Sequence, residues 1–399
     1  MTSMPPIVVT GIGCLCAAGN NLTECMESLF AGRRKPQPPT RFSSSHQVAY
    51  PVFEMTYIFS ADSPARRPHI MFTAELALIA AKQALENAGW RREVLKEKRV
   101  GICIGTTVGS AMNDEEFYRS YRKGENPDMD PIVRFLTSNP AQVVAQEYGL
   151  TGPCQTVVNA CSSGTDAIGL ASSWIRSGIC DIVLAGGADE LCRVTYNGFI
   201  SLMITDDSPC KPFDADRKGL NLGEGAAILI LESADLCRSR NHPYQATILG
   251  YGSACDAHHL TAPAQDGRGL MRALNAAISR SKQSPAEIAF INAHGTGTPD
   301  NDQVESFVLH KMFPEIPYLS TKGYTGHTLG AAGAIEAAFT IACLKAGKIP
   351  ATAGFENPDP KLPGAPVKNQ TEVNGSVAIT QSLAFGGNNA VLILGRGDI

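Results

Sequence analysis

The chain has 399 residues, with 34 Lys and Arg against 38 Asp and Glu and a formal charge of -4. That length exceeds one ordinary domain and excludes a small stapled fold, while the charge leaves no basic surplus for nucleic acid. The twelve cysteines sit mostly in apolar strings and never as Cys-x-x-Cys, a usage that fits small buried hydrophobes in a reducing cytoplasm and neither a disulfide framework nor a zinc site.

The amino terminus, MTSMPPIVVTGIG, has neither a basic segment nor a long apolar core, and no stretch approaches 18 apolar residues, so secretion and membrane spanning are not expected. Short apolar runs stopped by glycine predict buried parallel strands at 7–13, 99–107, 181–189, 225–233, 246–252, 287–298 and 390–397. Helical patterns lie between them at 73–90, 164–178, 267–281 and 331–347, an alternation that predicts an α/β class. The first strand leads into Gly11-x-Gly13, but Cys16 stands where a dinucleotide fingerprint needs its third glycine. Polar, Pro-rich stretches at 33–70 and 110–140 read as insertions, the second carrying a surface helix or cap, and 356–369 reads as a loop. The short positive clusters Arg33-Arg34-Lys35 and Arg66-Arg67 read as solvated surface.

The order of features recurs. IVVTGIG opens one half and ATILGYG the other, and each half later reaches a small-residue turn leading into a helix, at Cys161 and at His327. The pattern predicts two related halves, 1–245 and 246–399, sharing a core.

Three segments carry chemistry. In TVVNACSSGTDAIG, Cys161 follows a β-branched run and precedes a helix start, where unpaired N–H groups and the helix dipole favour thiolate and its own N–H can face an oxyanion. In NAHGTGTPDND a strand delivers His294 into a Gly/Thr turn, with the Thr296 and Thr298 hydroxyls two residues apart, suited to an amide-bearing ligand or to turn capping. In STKGYTGHTLGAAGAIE, His327 precedes a helix whose first residues, Gly330 to Ala334, admit close approach of backbone, ligand or another helix. A helix amino terminus disfavours imidazolium there. Lys322 and Glu336 are either an ion pair bracing this segment or two unrelated surface charges. A zinc site is not expected from one cysteine and two histidines separated by 133 and 33 residues.

Together NACSSG, NAHGTGTP, TKGYTGHTLGAAGAIE, KPFDADRKGLNLGEGAA (211–227) and AFGGNNA (384–390) resemble, in order, the signatures of the β-ketoacyl-acyl-carrier-protein synthases, specifically the elongating synthase II type and its type II polyketide relatives. The resemblance runs from Ile7 to the end of the chain. It implies a thiolase-like, duplicated α/β/α/β/α five-layered sandwich. It further implies Cys161 as the acyl-accepting nucleophile, His294 and His327 as its triad partners, and Lys322 with Glu336 as a supporting charged pair. Phe385 falls on the gate whose backbone N–H joins that of Cys161 in the oxyanion hole. Thr296 and Thr298 fall on the threonines that hold a phosphopantetheine arm, with Thr261 a weaker match.

The activity implied is decarboxylative condensation of an acyl chain with malonyl-acyl-carrier-protein, in fatty acid or type II polyketide or polyene synthesis, with no metal or redox cofactor. The implied partners are an acyl carrier protein and a second subunit, either another copy paired through CQTVVNA or a chain-length factor. Two other readings belong to different classes: a non-catalytic chain-length partner lacks the nucleophile, and a degradative thiolase needs a second cysteine near the C-terminus, where none follows Cys343. Ala384 and Asn388 stand where the family commonly has glycine and threonine, and Gly323 where serine is common.

Overall fold

A computed structural model describes residues 6–55, 69–107 and 114–397. Its strands are β1 (Ile7–Cys16), β2 (Val100–Gly105), β3 (Cys154–Val157), β4 (Ile182–Asp189), β5 (Gly225–Ser233), β6 (Ala246–Cys255), β7 (Ile288–Asn292), β8 (Tyr318–Leu319), β9 (Lys348–Ile349), β10 (Thr371–Glu372), β11 (Val377–Ala384) and β12 (Asn388–Arg396). Strands β9 and β10 form a separate pair, and the other ten join in the order β3-β2-β4-β5-β1-β6-β12-β11-β7-β8. Outward from the central β1–β6 contact, both sides follow one plan. With β9 and β10 left out of the count, the first strand of each half is succeeded by its fifth, fourth, second and third.

The strands are not all parallel, as the apolar runs had implied. Each half has one parallel trio, β3-β2-β4 and β8-β7-β11, while β4–β5, β5–β1, β1–β6, β6–β12 and β12–β11 are antiparallel. Continuous apolar runs report burial on both faces and say nothing about direction.

Burial on both faces follows from the layers. The helices Ser163–Arg176 and Ala332–Ala346 lie at the centre, packed among residues of β1, β4, β5, β6 and β12. The helices Phe72–Asn87 and Pro140–Tyr148 cover the outer face of the first half. Arg268–Ser281 and Pro299–Met312 cover that of the second. This is the five-layered α/β sandwich. The stretch Leu329–Ala346 does run 18 residues with mean hydropathy 1.4, and 83% of it is buried. Its apolarity all round comes from being packed on all sides by strands of the sheet and by the helix Ser163–Arg176.

The repeated glycines mark strand-on-helix contacts. A Cβ at Gly11 or Gly13 would stand 2.1 or 2.0 Å from the carbonyl oxygens of Ala84 or Ala80, and one at Gly250 or Gly252 would stand 2.3 or 2.1 Å from those of Ala277 or Ala273. Gly11-x-Gly13 is therefore a packing device. The insertion at 110–140 contains the helices Glu115–Arg122 and Asp130–Thr137, neither with a buried residue, and 356–369 carries no helix or strand. Residues 56–68 and 108–113 of the two expected insertions lie outside the described residues.

Candidate active site

The Cys161 turn is built before any partner reaches it. Ala160 stands at φ +48°, a left-handed backbone that costs a residue with a Cβ about 1–3 kcal/mol and needs outside support. Ser163 supplies some of it, its Oγ accepting from the Asn159 N–H at 2.8 Å and donating to the Ala160 carbonyl at 2.6 Å. Asp166 supplies more, since one carboxylate oxygen accepts from Asn159 Nδ2 at 2.5 Å and from Ser162 Oγ at 2.8 Å. Its other oxygen accepts from the Tyr251 hydroxyl at 2.7 Å. Tyr251 belongs to β6, so the second half of the chain braces the turn of the first.

His294 follows β7, and its backbone is fixed from below. The His294 and Gly295 N–H groups donate to the two oxygens of Glu305 at 2.5 and 2.7 Å, and Gln381 Nε2 donates to the same carboxylate at 2.6 Å. His327 is held by its N–H donating to the Asn221 carbonyl at 2.8 Å and by the Gly223 N–H donating to its own carbonyl at 3.0 Å. The Leu329 N–H donates to His327 Nδ1 at 3.2 Å. An accepting Nδ1 carries no proton, so the neutral ring carries it on Nε2.

Lys322 decides the other tautomer. Its Nζ lies 3.0 Å from His294 Nδ1 and 2.6 Å from the His294 carbonyl oxygen, and it also donates to Glu336 Oε1. Three acceptors match the three N–H bonds of an ammonium, which leaves His294 Nδ1 accepting and Nε2 protonated. Lys322 and Glu336 have side chains 1% and 3% exposed, so they are a buried ion pair and not two surface charges.

These elements bring together one atom each from Cys161, His294 and His327 within 4.8 Å of one another, all three residues buried. The two imidazole rings meet edge to face, with centroids 5.2 Å apart. Burial holds the pKa of both histidines well below the usual value, and the Lys322 charge adds to the shift. Both rings are neutral donors at ordinary pH. The trio also has the separation of a metal-ligand set, but the charge that keeps the rings neutral opposes a cation at the same spot.

The thiol differs from the expectation of a thiolate. Burial pushes the Cys161 pKa up to about 12, against the opposing pull of the Lys322 charge and of the Phe385 and Cys161 backbone N–H groups. Desolvation outweighs the helix terminus because Cys161 is buried, only 4% exposed. Burial likewise raises Glu336 to about 7, opposed by Lys322.

That cavity encloses about 320 Å³ and is lined by Cys161, His294, His327, Thr261, Thr296, Thr298 and Phe385 among others. The Thr296 and Thr298 hydroxyls are 2.8 Å apart, and Thr261 lies exposed. Phe385 stacks on Phe199, which also lines the cavity, at 5.7 Å and 14°. The small residues before the central helix receive protein and not ligand: a Cβ at Gly330 would stand 2.5 Å from the Thr106 backbone, and one at Gly333 would stand 1.9 Å from Thr165 Oγ1.

Sequence reasoning brought forward Cys161, His294, His327, Thr261, Thr296, Thr298 and Phe385, but it missed other lining residues such as Phe199, Met203, Leu220 and Asp256, and it missed the supporting Asp166, Tyr251 and Glu305. Asp166 reads locally as an ordinary acid in a helix first turn. Glu305 and Tyr251 carry no local signal, because their partners come from other elements.

Comparison with known proteins identifies the family. The family model described as "Beta-ketoacyl synthase, N-terminal domain" matches residues 4–236, and that described as "Beta-ketoacyl synthase, C-terminal domain" matches residues 245–356. A protein named 3-oxoacyl-[acyl-carrier-protein] synthase 2 from Synechocystis sp. is 33% identical over 97% of this chain and 97% of its own length. One of the same name from Rhizobium meliloti is 33% identical over 98% and 99%. Among solved structures, the ishigamide ketosynthase/chain length factor superposes with a TM-score of 0.91 at 32% identity, covering 99% of this chain and 100% of that one. A type II polyketide acyl-carrier protein in complex with its ketosynthase, bound to the hexaketide, superposes at 0.88 and 26% identity over 99% and 100%. With both family models in place across a nucleophile turn, two neutral imidazoles and a duplicated sheet, the chain belongs to the β-ketoacyl synthase family.

Proposed function

We propose that the protein is a 3-oxoacyl-acyl-carrier-protein synthase. It holds an acyl chain as a thioester on Cys161 and condenses it with malonyl-acyl-carrier-protein, losing carbon dioxide, in fatty acid or type II polyketide or polyene synthesis. The observation that carries this reading is the meeting of Cys161, His294 and His327 within 4.8 Å in a cavity that also exposes the Thr296–Thr298 hydroxyl pair.

The first step exchanges one thioester for another. The Cys161 sulfur attacks the carrier thioester, the carrier sulfur leaves, and the proton of the Cys161 thiol ends on it. The Cys161 and Phe385 N–H groups receive the oxyanion. The second step breaks the carboxylate from the malonyl group, and negative charge gathers on the thioester oxygen as the enolate forms. The Nε2–H groups of His294 and His327 meet that charge, and neutral donors are what their depressed pKa values provide. The enolate carbon then attacks the acyl-Cys161 carbonyl and expels the sulfur as a thiolate, which takes up one proton from solvent and returns to the thiol. No electron is gained or lost overall, so the step needs no redox cofactor, and the two Nε2–H groups supply the stabilisation of the enolate oxygen. Thr296, Thr298 and Thr261 hold the phosphopantetheine arm.

Among the described cysteines, Cys161 alone lines the cavity, which disfavours a thiolase mechanism using two. A non-catalytic chain-length partner would lack the nucleophile that Cys161 supplies. β3 is the outer strand of its side of the sheet, its residues are partly exposed, and Val158 just beyond it is 67% exposed. That open edge supports a paired assembly, with a second copy or with a chain-length factor. The test is the mass of the protein after incubation with an acyl-carrier thioester: an acyl adduct on Cys161, lost in Cys161→Ala, is expected. No adduct, or full condensation by that variant, overturns the reading.

A further inference from the structure

Residues 385–387 join β11 to β12, and Ala384, Phe385 and Asn389 line the cavity there. Gly386 and Gly387 stand at φ +81° and +78°, backbone that only glycine adopts cheaply. The Gly386 N–H donates to the Leu260 carbonyl at 2.7 Å, the Asp256 N–H donates to the Gly387 carbonyl at 2.7 Å, and the Cys255 thiol donates to the Gly386 carbonyl at 3.4 Å. All three hold the glycines. Asn388 acts on Phe385 itself, its Nδ2 donating to the Phe385 carbonyl at 3.2 Å. Phe385 in turn presents its N–H to the Cys161 sulfur and lays its ring on Phe199. An acyl chain on the sulfur and the Phe385 ring draw on the same cavity of about 320 Å³.

We propose that Asn388 is a positioning residue that latches Phe385 in this arrangement, and that a long acyl chain reaches Cys161 only after the Asn388 Nδ2–Phe385 carbonyl bond opens. The proposal rests on the acyl-transfer reading above. The latch breaks and makes no covalent bond. In the exchange it controls, the acyl carbon moves from the carrier sulfur to Cys161 Sγ and the thiol proton moves to the departing sulfur. A short acyl group needs little of the space that Phe385 occupies and is largely indifferent to the latch.

The experiment compares initial rates of acyl-Cys161 formation, by intact mass, from dodecanoyl- and acetyl-carrier thioesters in the wild type, Asn388→Ala and Asn388→Asp. Asn388 is half-buried at the first position of β12, and thermal melting checks that each variant is folded. Asn388→Asp keeps the size and loses the donor. The dodecanoyl-to-acetyl rate ratio is expected to rise about three- to tenfold in both variants, the factor that one lost hydrogen bond of ordinary strength carries. Asn388→Thr, with a shorter donor, is expected to fall between them and the wild type. An unchanged ratio, or both rates falling in parallel, overturns the latch while leaving the acyl-transfer reading intact. A wild type that takes no acyl group from either donor overturns both.

Discussion

Lys322 meets His294 twice, with Nζ 3.0 Å from the ring Nδ1 and 2.6 Å from the carbonyl oxygen of the same residue. The ring plane and the backbone of one histidine are thereby tied to a single cation, and Glu336 takes the third ammonium N–H. Removing the cation should cost both fold and activity. Lys322→Met strands a buried carboxylate, so a stability loss of about 3–5 kcal/mol is expected by urea unfolding. Pairing it with Glu336→Gln should restore part of the stability while condensation stays low, because nothing then fixes the His294 tautomer.

The two histidines should be separable from the nucleophile. Each Nε2–H is one donor to the enolate oxygen, and losing one such donor costs about 3–4 kcal/mol of barrier, on the order of 100- to 1000-fold in rate. His294→Asn and His327→Asn are expected to lose that much in carbon dioxide release from malonyl-carrier while still forming the acyl adduct on Cys161. Decarboxylation at the wild-type rate in either variant would remove that histidine from the step.

Neutral histidines also set a pH dependence of stability. Both native pKa values lie well below the ordinary 6.5 because of burial and Lys322. As pH falls through that unfolded value, the unfolded chain takes up protons that the native chain refuses. The histidine contribution is therefore full above about pH 6.5 and is lost below it, with a limiting slope of about 1.4 kcal/mol per pH unit for each histidine, while Glu336, raised to about 7, gives the opposite slope between about pH 4.5 and 7. Urea midpoints at pH 7.5, 6.5 and 5.5 test this as a difference: from pH 7.5 to 5.5 the wild type should lose more stability than a double His294→Asn, His327→Asn variant that retains Glu336.

Tyr251 offers a test of support across the two halves. Its hydroxyl donates to Asp166 at 2.7 Å, and Asp166 holds the turn in which Ala160 is strained. Tyr251→Phe removes one hydrogen bond, worth about 1 kcal/mol of stability. It should also slow acylation of Cys161 without altering the rate at which malonyl-carrier loses carbon dioxide. Slowing of both steps to the same degree would mean that Tyr251 acts only on the fold.

Much of the molecule was written locally. Glycine-stopped apolar runs located seven strands and helical spacing four helices, and the parallel phrases IVVTGIG and ATILGYG announced the repeated strand plan, but β8, β11 and the covering helices Pro140–Tyr148 and Pro299–Met312 were not among the predicted elements. Such patterns survive in the sequence because strand and helix periods are set by neighbouring residues. Strand direction was not legible, since an apolar run between two helical layers looks the same whichever way it points. The role of Gly330 to Ala334 was not legible either, because three kinds of neighbour require equally small residues.

The order of Cys161, His294 and His327 along the chain, and the residue types around them, were determined by the sequence alone. Their approach to within 4.8 Å was decided by the tertiary structure, because it depends on two halves packing their central helices together at Gly333 and Thr165. Their chemistry was decided there too. A helix start favours thiolate, but burial raises the Cys161 pKa to about 12. Burial and one lysine keep both imidazoles neutral, for solvation and charge proximity are properties of a place in the fold and not of a stretch of chain.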